Sequence, residues 1–333
     1  MKKFPTRRTI LGVVAASSLL AITACGGNVA GSASTSDTFP ADPINLTVGA
    51  APGGSTDLIA RALANSAGTD LGVPMPVVNK PGANGALAMK ELEGKPATGY
   101  DLATLNASLI TITPLAVGEA EAVTLDDVDV LVGLSQDDYV LVANPAAGVK
   151  SIKDIVAAGD KFTYGTTGVG TGSQLAQAVL FKQAKIGGTE VPFDSGAPAV
   201  TAVLGNQVQL ATVQLGEAKA QIDAGKLVPI VVFSTERNKF LPDVPTATEE
   251  GYDVPVSQYR AVVAPKGTPD AVKERLVKSF EAAFKTKEYQ DFNEKNLLTP
   301  REISGEEIVT EWTALAKKYK ALVDEHGISL SGK

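Results

Sequence analysis

Strand and helix patterns alternate along this chain from Ile44 onward, and this alternation constrains the fold more than any other feature. The first strand pattern, Ile44–Ala50, is followed by Thr56–Leu71, whose apolar residues recur at helical spacing. Further strands are predicted at Pro76–Asn79, Asp101–Asn106, Val128–Gly133, Tyr139–Ala143, Lys161–Gly165, Glu190–Phe193, Val208–Val213, Leu227–Phe233 and Gln258–Ala264. Further helices are predicted at Gly85–Glu93, Ser151–Ala158, Ser173–Ala184, Ala197–Leu204, Glu217–Ala224, Pro269–Lys295 and Gly305–His326. Such alternation is typical of α/β proteins with parallel sheets.

Two of these apolar runs, Tyr139–Ala143 and Gln258–Ala264, bracket the middle of the chain, and each ends in an Asn-Pro or Ala-Pro step. If both runs cross between domains, the middle segment forms one lobe, the two ends form the other, and a cleft separates them. The alternative is a pair of sequential domains with a boundary near Pro145.

The N-terminal residues 1–24 predict a secretory signal peptide. Four basic residues precede an apolar stretch, Ile10–Ile22, that is too short to span a membrane comfortably. The following Thr23-Ala24-Cys25 resembles the lipobox of bacterial lipoproteins, which implies that Cys25 is diacylated and becomes the mature N-terminus. The alternatives are an ordinary cleaved signal followed by a free thiol, or an uncleaved anchor. Arg7-Arg8 leaves open whether export uses the general or the twin-arginine route.

Residues 25–42 form the predicted lipidated N-terminus and flexible tether, because they are rich in glycine, serine, alanine and threonine and lack hydrophobic periodicity. We therefore expect a lipoprotein on the extracytoplasmic face of the cell membrane. The chain carries a formal charge of −7, and its first 24 residues hold four bases and no acid, so the remainder carries −11. This charge disfavours nucleic acid as a partner.

The scarcity of cysteine and histidine excludes several chemistries. Cys25 is the single cysteine and His326, close to the C-terminus, is the single histidine. The body of the chain therefore offers no cysteine nucleophile, no Ser-His-Asp triad and no His-rich zinc site. We expect a protein that is not an enzyme and that uses no cofactor or metal.

Two glycine-rich loops between strand and helix are candidate anion sites. The first contains Ala51, Gly53, Gly54, Ser55, Thr56 and Asp57. It is interpreted either as a carboxylate cradle or as an ordinary well-capped turn. The second, Gly165–Ser173, contains Thr167, Gly168, Gly170, Thr171 and Ser173. It suits a carboxylate or phosphate, and the alternative is a dinucleotide site or an exported α/β enzyme, although Ser173 stands where that fingerprint needs a third glycine.

Other polar residues follow the ends of predicted strands, where ligands bind in open α/β sheets. They are Asn106, Ser108, Asp194, Ser195 and Gln214. Asp194 is expected to bind a ligand ammonium, to repel an extra carboxylate, or to cap the following helix. Arg260 lies in an apolar run, so it is either a carboxylate clamp or the partner of an internal acid.

A series of short motifs extends from about Pro43 to Pro269. They are Pro43-Ile44, Ala51–Asp57, Ala60-Arg61, Asn79–Gly85, Gly99–Leu102, Gly168–Thr171, Val191–Phe193 with Ala197–Ala199, Ala224–Leu227, Leu241–Thr246 and Ala264–Pro269. Together they resemble the solute-binding proteins of tripartite tricarboxylate transporters. The resemblance implies a type II periplasmic-binding-protein fold with two discontinuous lobes, 43–143 plus 259–333 and 144–258, that close on a central cleft.

The resemblance also implies a function: capture of a small organic carboxylate, held by Gly53, Gly54, Thr56, Asp57, Thr167, Gly168, Gly170 and Thr171, and delivery to a membrane permease. We expect a monomer. Three departures from the family pattern lie close to these loops: Ala50-Ala51 replaces an aromatic residue, Gln174 replaces a histidine, and Phe193–Gly196 replaces a Tyr-Lys-Gly-like segment. These changes suit a smaller or amino-bearing acid, so the ligand is left open among dicarboxylates, tricarboxylates and amino-bearing acids.

Overall fold

A computed structural model describes residues 39–118, 122–159 and 161–331. The predicted signal peptide, Cys25 and most of the predicted tether lie outside the described residues. None of the helices in these three segments is long and apolar enough to cross a membrane.

Nine strands of the described segments form one continuous sheet. They are β1 (Asn45–Val48), β2 (Val77–Asn79), β3 (Asp101–Asn106), β4 (Val128–Ala143), β5 (Thr163–Thr166), β6 (Thr189–Pro192), β7 (Leu210–Gln214), β8 (Val228–Val232) and β9 (Ser257–Pro265). Their order in the sheet is β2-β1-β3-β9-β4-β7-β5-β6, and β8 also pairs with β4.

The sheet is mixed, which corrects the expectation of parallel sheets. β1 runs parallel to β2 and β3, and β5 runs parallel to β6 and β7. β9 pairs antiparallel with β3 and β4, and β4 pairs antiparallel with β7 and β8. Helical crossovers connect parallel strands. In the described residues no helix lies between β8 and β9, so β9 is not reached through a helical crossover. The expectation of a parallel strand therefore failed for β9.

β4 is a single strand of 16 residues, where the sequence predicted two strands with a break between Gly133 and Tyr139. The prediction was wrong because Ser135 and Asp137, which resemble a polar break, are buried and hydrogen-bonded to each other. The strand therefore continues through the position where a turn was expected.

The two ends of β4 belong to different parts of the sheet. It pairs with β9 as far as Asp138, and from Tyr139 onward it pairs with β7 and β8. We call β1, β2, β3, β9 and Val128–Asp138 the first strand group, and β5 to β8 with Tyr139–Ala143 the second strand group. The lobe boundaries predicted from the sequence stay a prediction.

Helices cover both faces of the sheet. They are α1 (Ser55–Leu71), α2 (Ala86–Glu93), α3 (Ala107–Thr111), α4 (Thr113–Ala116), α5 (Ile152–Ala158), α6 (Gly172–Ala184), α7 (Gly196–Leu204), α8 (Leu215–Asp223), α9 (Asp270–Phe284), α10 (Lys287–Lys295) and α11 (Gly305–His326). The sequence predicted most of them within a few residues but missed the short α3 and α4.

The long helix predicted over Pro269–Lys295 is two helices, α9 and α10. Thr286 adopts an extended conformation between them, and its Oγ1 accepts a hydrogen bond from the backbone N–H of Tyr289 at 3.3 Å. A threonine in this position is an N-cap, which starts a new helix. Since the apolar spacing continues past the break, periodicity alone did not reveal it.

The C-terminal helix α11 packs against both strand groups. Ile308 and Trp312 are buried in a cluster with Leu105 of β3. Tyr319 and Val323 are buried in the cluster that contains Leu141, on the other side of the division of β4. One helix therefore packs against the cores of both strand groups.

Candidate functional site

A cavity of ≈ 270 Å³ lies between the two strand groups. Gly49 follows β1, Asn106 ends β3, Thr167 follows β5, Phe193 follows β6 and Gln214 ends β7, and all five line the cavity. The polar strand ends of both groups therefore face one space, as the sequence predicted for an open α/β sheet.

Four helices of eight residues or more begin at the cavity wall. Gly54 precedes α1, Thr171 precedes α6, Ser195 precedes α7 and Gln214 precedes α8, and each of them lines the cavity. A helix N-terminus carries partial positive charge and presents free N–H groups. The backbone is thus the main source of positive potential in this cavity, because no lysine, arginine or histidine is among its lining residues.

The residues that precede α1 and α7 do not cap their helices, although the N–H of Ser55 in α1 already donates to Glu217 Oε1 at 3.4 Å. Thr171 Oγ1 accepts a hydrogen bond from Gln174 N at 3.3 Å and so caps α6. Gly54 and Ser195 make no side-chain cap hydrogen bond. A Cβ built on Gly54 would lie 3.8 Å from Ser195 Cβ, so the N-termini of α1 and α7 lie directly beside each other at the cavity wall.

The structure brings together at the cavity wall most of the residues that the sequence predicted for the site. They are Gly54, Ser55, Thr56, Asn106, Ser108, Thr167, Gly168, Thr171, Asp194, Ser195 and Gln214. Ala51, Gly53, Asp57, Gly170, Ser173 and Arg260 are not among its lining residues. In the second set, Gly53 is exposed, whereas Asp57, Gly170, Ser173 and Arg260 support the loops and helices that form the wall.

Asp57 holds the first loop in shape. Its buried carboxylate accepts hydrogen bonds from Gly53 N at 2.9 Å, Asn79 Nδ2 at 2.8 Å and Arg61 Nε at 3.1 Å. Burial raises the pKa of Asp57, but the hydrogen bonds from Arg61, Gly53 and Asn79 outweigh it and hold the pKa below its usual value. Asp57 is therefore ionised and positions the loop.

Ser173 and Gly170 have the same supporting role in the second loop. Ser173 Oγ accepts a hydrogen bond from Thr167 N at 2.8 Å, and Gly170 N donates to Gln174 Oε1 at 2.8 Å. Gly170 has a φ of 72°, and a Cβ there would lie 2.9 Å from Thr113 Cα. Only glycine fits this close approach of the second loop to α4.

Arg260 lies behind the cavity, and of the two alternatives for it the structure shows the internal pair. It is 1% exposed, and its guanidinium forms a salt bridge with Asp137. It also donates to Ser135 Oγ and Thr56 Oγ1, both at 2.8 Å. Through Thr56 this buried pair fixes the first turn of α1 at the cavity wall.

Glu217, in the first turn of α8, is a cavity residue that the sequence reasoning missed. Its Oε1 accepts a hydrogen bond from Ser55 N at 3.4 Å, and its Oε2 accepts one from Gln214 N at 3.3 Å. Burial raises the pKa of Glu217 to about 7, opposed by hydrogen bonds from Ser55 and Gln214. The spacing Gln214-x-x-Glu217 is that of a capping box, and this signal could have identified the residue.

Asn84 is a second missed residue, and it also joins the two halves of the site. Its Nδ2 lies 2.9 Å from Ser108 Oγ, 3.0 Å from Thr113 Oγ1 and 3.1 Å from the carbonyl oxygen of Gly170. Asn84 adopts a φ of 54°, which asparagine tolerates better than most residues. It belongs to the family motif Asn79–Gly85, so its position was within reach of the sequence.

Within the described residues, no group of three or more His, Cys, Asp or Glu side chains could hold a metal ion.

Tyr139 and Gln258 also line the cavity, with Tyr139 OH 2.9 Å from Gln258 Oε1. The polar part of the wall therefore consists of backbone N–H groups, hydroxyls, amides and two carboxylates, Asp194 and Glu217. Such a wall can bind and orient a small polar ligand.

Comparison with known proteins identifies the family. The profile of the tripartite tricarboxylate transporter family receptor, TctC, matches residues 59–328. The chain belongs to this family. This TctC-family receptor is 28% identical to a UPF0065 protein of Bordetella pertussis over 288 residues, which cover 84% of this chain and 88% of the relative.

Two solved structures show the fold. The periplasmic binding protein BugD superimposes with a TM-score of 0.82 at 26% identity, covering 87% of this receptor and 99% of BugD. MatC from Rhodopseudomonas palustris, solved with bound malate, gives a TM-score of 0.80 at 23% identity, covering 86% and 100%. The prediction of a two-lobe periplasmic-binding-protein fold with a central cleft is confirmed, and family members are solute-binding proteins located outside the cytoplasm.

Proposed function

We propose that this receptor captures a small organic carboxylic acid in the cavity and delivers it to the membrane permease of a tripartite tricarboxylate-type transporter. The observation that carries the proposal is the convergence of four helix N-termini on a cavity whose lining has no basic side chain. Backbone N–H groups at helix N-termini bind carboxylates without a counter-charge from a side chain.

Contacts across the cavity support closure around the ligand. Glu217 of α8, which follows β7 of the second strand group, accepts from Ser55 N of α1, and Asn84, which precedes α2, donates to the carbonyl of Gly170. These polar contacts exist only when the two halves are close together. Two-lobe binding proteins couple such closure to ligand contacts made by both lobes.

The lipid anchor at Cys25 and the tether over 25–42 are part of the proposal. An acylated N-terminus would keep the receptor at the extracytoplasmic membrane surface, where the permease is located. Diffusion would then be confined to a thin layer next to the permease, which raises the effective concentration of the receptor.

A thermal-shift screen tests this function. Malate, succinate, glutarate, citrate, aspartate and glutamate are added separately, with the uncharged sugar glucose as a control. A ligand at 100 times its Kd stabilises the native state by about 2.7 kcal/mol, which raises the Tm by several degrees. We expect such a rise with at least one acid and none with glucose. If no carboxylic acid raises the Tm while glucose does, the proposed function is wrong.

A further inference from the structure

The charged side chains that line the cavity are acidic. Asp194 and Glu217 both line it, and no lysine, arginine or histidine does. Neither acid forms a salt bridge with any residue of the described segments. The guanidinium of Arg260 is buried behind Thr56 and paired with Asp137, and that of Arg61 is paired with Asp57.

The two acids differ in what they already contact. Glu217 accepts hydrogen bonds from two backbone N–H groups, those of Ser55 and Gln214. Asp194 is exposed to the cavity, and it does not cap α7, because the residue in the N-cap position is Ser195 and no side-chain cap hydrogen bond is present. The capping alternative for Asp194 is therefore wrong, and its carboxylate is available to a ligand.

A neighbouring hydroxyl independently indicates a ligand. Ser195 is 8% exposed and lines the cavity, and its buried Oγ has no hydrogen-bond partner among the described residues. A buried polar atom without a partner is costly unless a ligand satisfies it. The hydroxyl thus offers a hydrogen bond beside the Asp194 carboxylate.

These observations restrict the ligand. A carboxylate group of the ligand gains from the helix N-termini at the cavity wall, but a further carboxylate placed at Asp194 would be repelled. A cationic group on the ligand would instead be attracted by Asp194 and satisfy its free oxygens. Both attraction of the right ligand and repulsion of the wrong one contribute to selectivity.

We propose that the receptor selects a small acid that carries an ammonium group, and that the Asp194 carboxylate accepts this ammonium while helix N-termini hold the ligand carboxylate. This inference rests on the proposed function, since it presumes that the cavity binds a carboxylic acid. It names the ligand class as amino acids, and it excludes tricarboxylates.

Isothermal titration calorimetry at pH 7.5 with matched ligand pairs tests the inference. Aspartate and succinate share one carbon skeleton and differ only in the ammonium group, as do glutamate and glutarate; citrate represents tricarboxylates. We expect the amino member of at least one pair to bind about tenfold more tightly than its partner, a difference of about 1.4 kcal/mol. In Asp194→Asn this ratio should fall to about one, because the variant removes the charge but keeps the shape.

The matched control is Asp243→Asn, which removes the same charge from an exposed residue outside the cavity lining and should leave the ratio unchanged. Tighter binding of succinate, glutarate or citrate than of the amino acids would overturn the inference while the proposed function stands. An unchanged ratio in Asp194→Asn would overturn the role of Asp194. Absence of binding by every acid, amino or not, would count against the proposed function itself.

Discussion

The Glu217 carboxylate of α8 contacts α1, because its Oε1 accepts a hydrogen bond from the backbone N–H of Ser55 at 3.4 Å. Its Oε2 is held by the N–H of Gln214 on its own side of the cavity. One side chain therefore contacts the N-terminus of α1 and the N-terminus of α8 at once. It is both part of the cavity wall and part of the closed arrangement.

This position predicts a pH-dependent stability. The pKa of Glu217 is raised from 4.5 to about 7 by burial, so the native state holds this proton more tightly than the unfolded chain does. The contribution of Glu217 to stability is therefore greatest below pH 4.5 and is lost as the pH rises to about 7. Because the side chain is only partly buried, we expect roughly 1–3 kcal/mol over this range. The measurement is urea unfolding of wild type and Glu217→Gln at pH 5 and pH 8.

The difference in unfolding free energy between wild type and Glu217→Gln should change between the two pH values, with wild type relatively weaker at pH 8. Glu250→Gln removes the same charge from a residue outside the cavity lining, and its difference from wild type should stay constant. If the difference for Glu217→Gln is constant as well, burial does not raise the pKa of this carboxyl.

Gly196, in the first turn of α7, is predicted to be essential for the position of Glu217. A Cβ at residue 196 would overlap the Glu217 carboxylate, whereas the nearest atoms to a Cβ at Gly54 lie 3.6 Å away. The carboxylate is the mobile end of a side chain, so Gly196→Ala should fold but displace it. We expect Gly196→Ala to abolish the pH dependence assigned to Glu217 and Gly54→Ala to retain it, measured by the same unfolding experiment. Retention in both variants would contradict the geometry.

The buried pair of Arg260 and Asp137 predicts large effects on stability. Removing one member leaves the other charge buried without its partner, which costs about 3–5 kcal/mol. Arg260→Met and Asp137→Asn should each lower the free energy of unfolding in urea by this order. The double variant should lose less than the sum of the two, because it leaves neither charge alone. Strict additivity would mean that the two side chains do not act as a pair.

Lipidation of Cys25 predicts a membrane-bound protein without a free thiol. The wild type should sediment with membranes from the expressing cells, and its mature N-terminal peptide should carry the mass of diacylated cysteine. In Cys25→Ser the protein should leave the membrane pellet, because the acyl chains supply the anchoring energy. Cys25 is the only cysteine of the chain. A reactive thiol in mature wild-type protein would therefore rule out this modification.

The features that the sequence predicted well are those with local causes. Apolar periodicity located α1 and α11, and glycine and hydroxyl residues after strands located both loops of the site. The ends of β3 and β7 were predicted to carry ligand-facing polar residues, and Asn106 and Gln214 do line the cavity. Each of these signals is contained in a few consecutive residues.

The features that escaped prediction depend on partners distant in sequence. The sequence of β4 predicts two strands, because it has polar residues at its centre. In the folded chain Arg260, more than a hundred residues later, donates to Ser135 and pairs with Asp137, so the strand continues. In the sequence, Glu217 has the position of an ordinary helix-capping residue. Its contact with α1 forms only in the folded chain. Arg260 likewise lies behind the cavity wall because it pairs with Asp137, and this pairing forms only in the folded chain.

The most direct test of the account is a crystal structure of the receptor with the acid that most raises its Tm. We predict a carboxylate group of the ligand within about 3 Å of backbone N–H groups in the first turns of α1 and α7. A ligand bound outside this cavity, or one whose carboxylate contacts only lysine or arginine side chains, would contradict the central claim that helix N-termini form the carboxylate site.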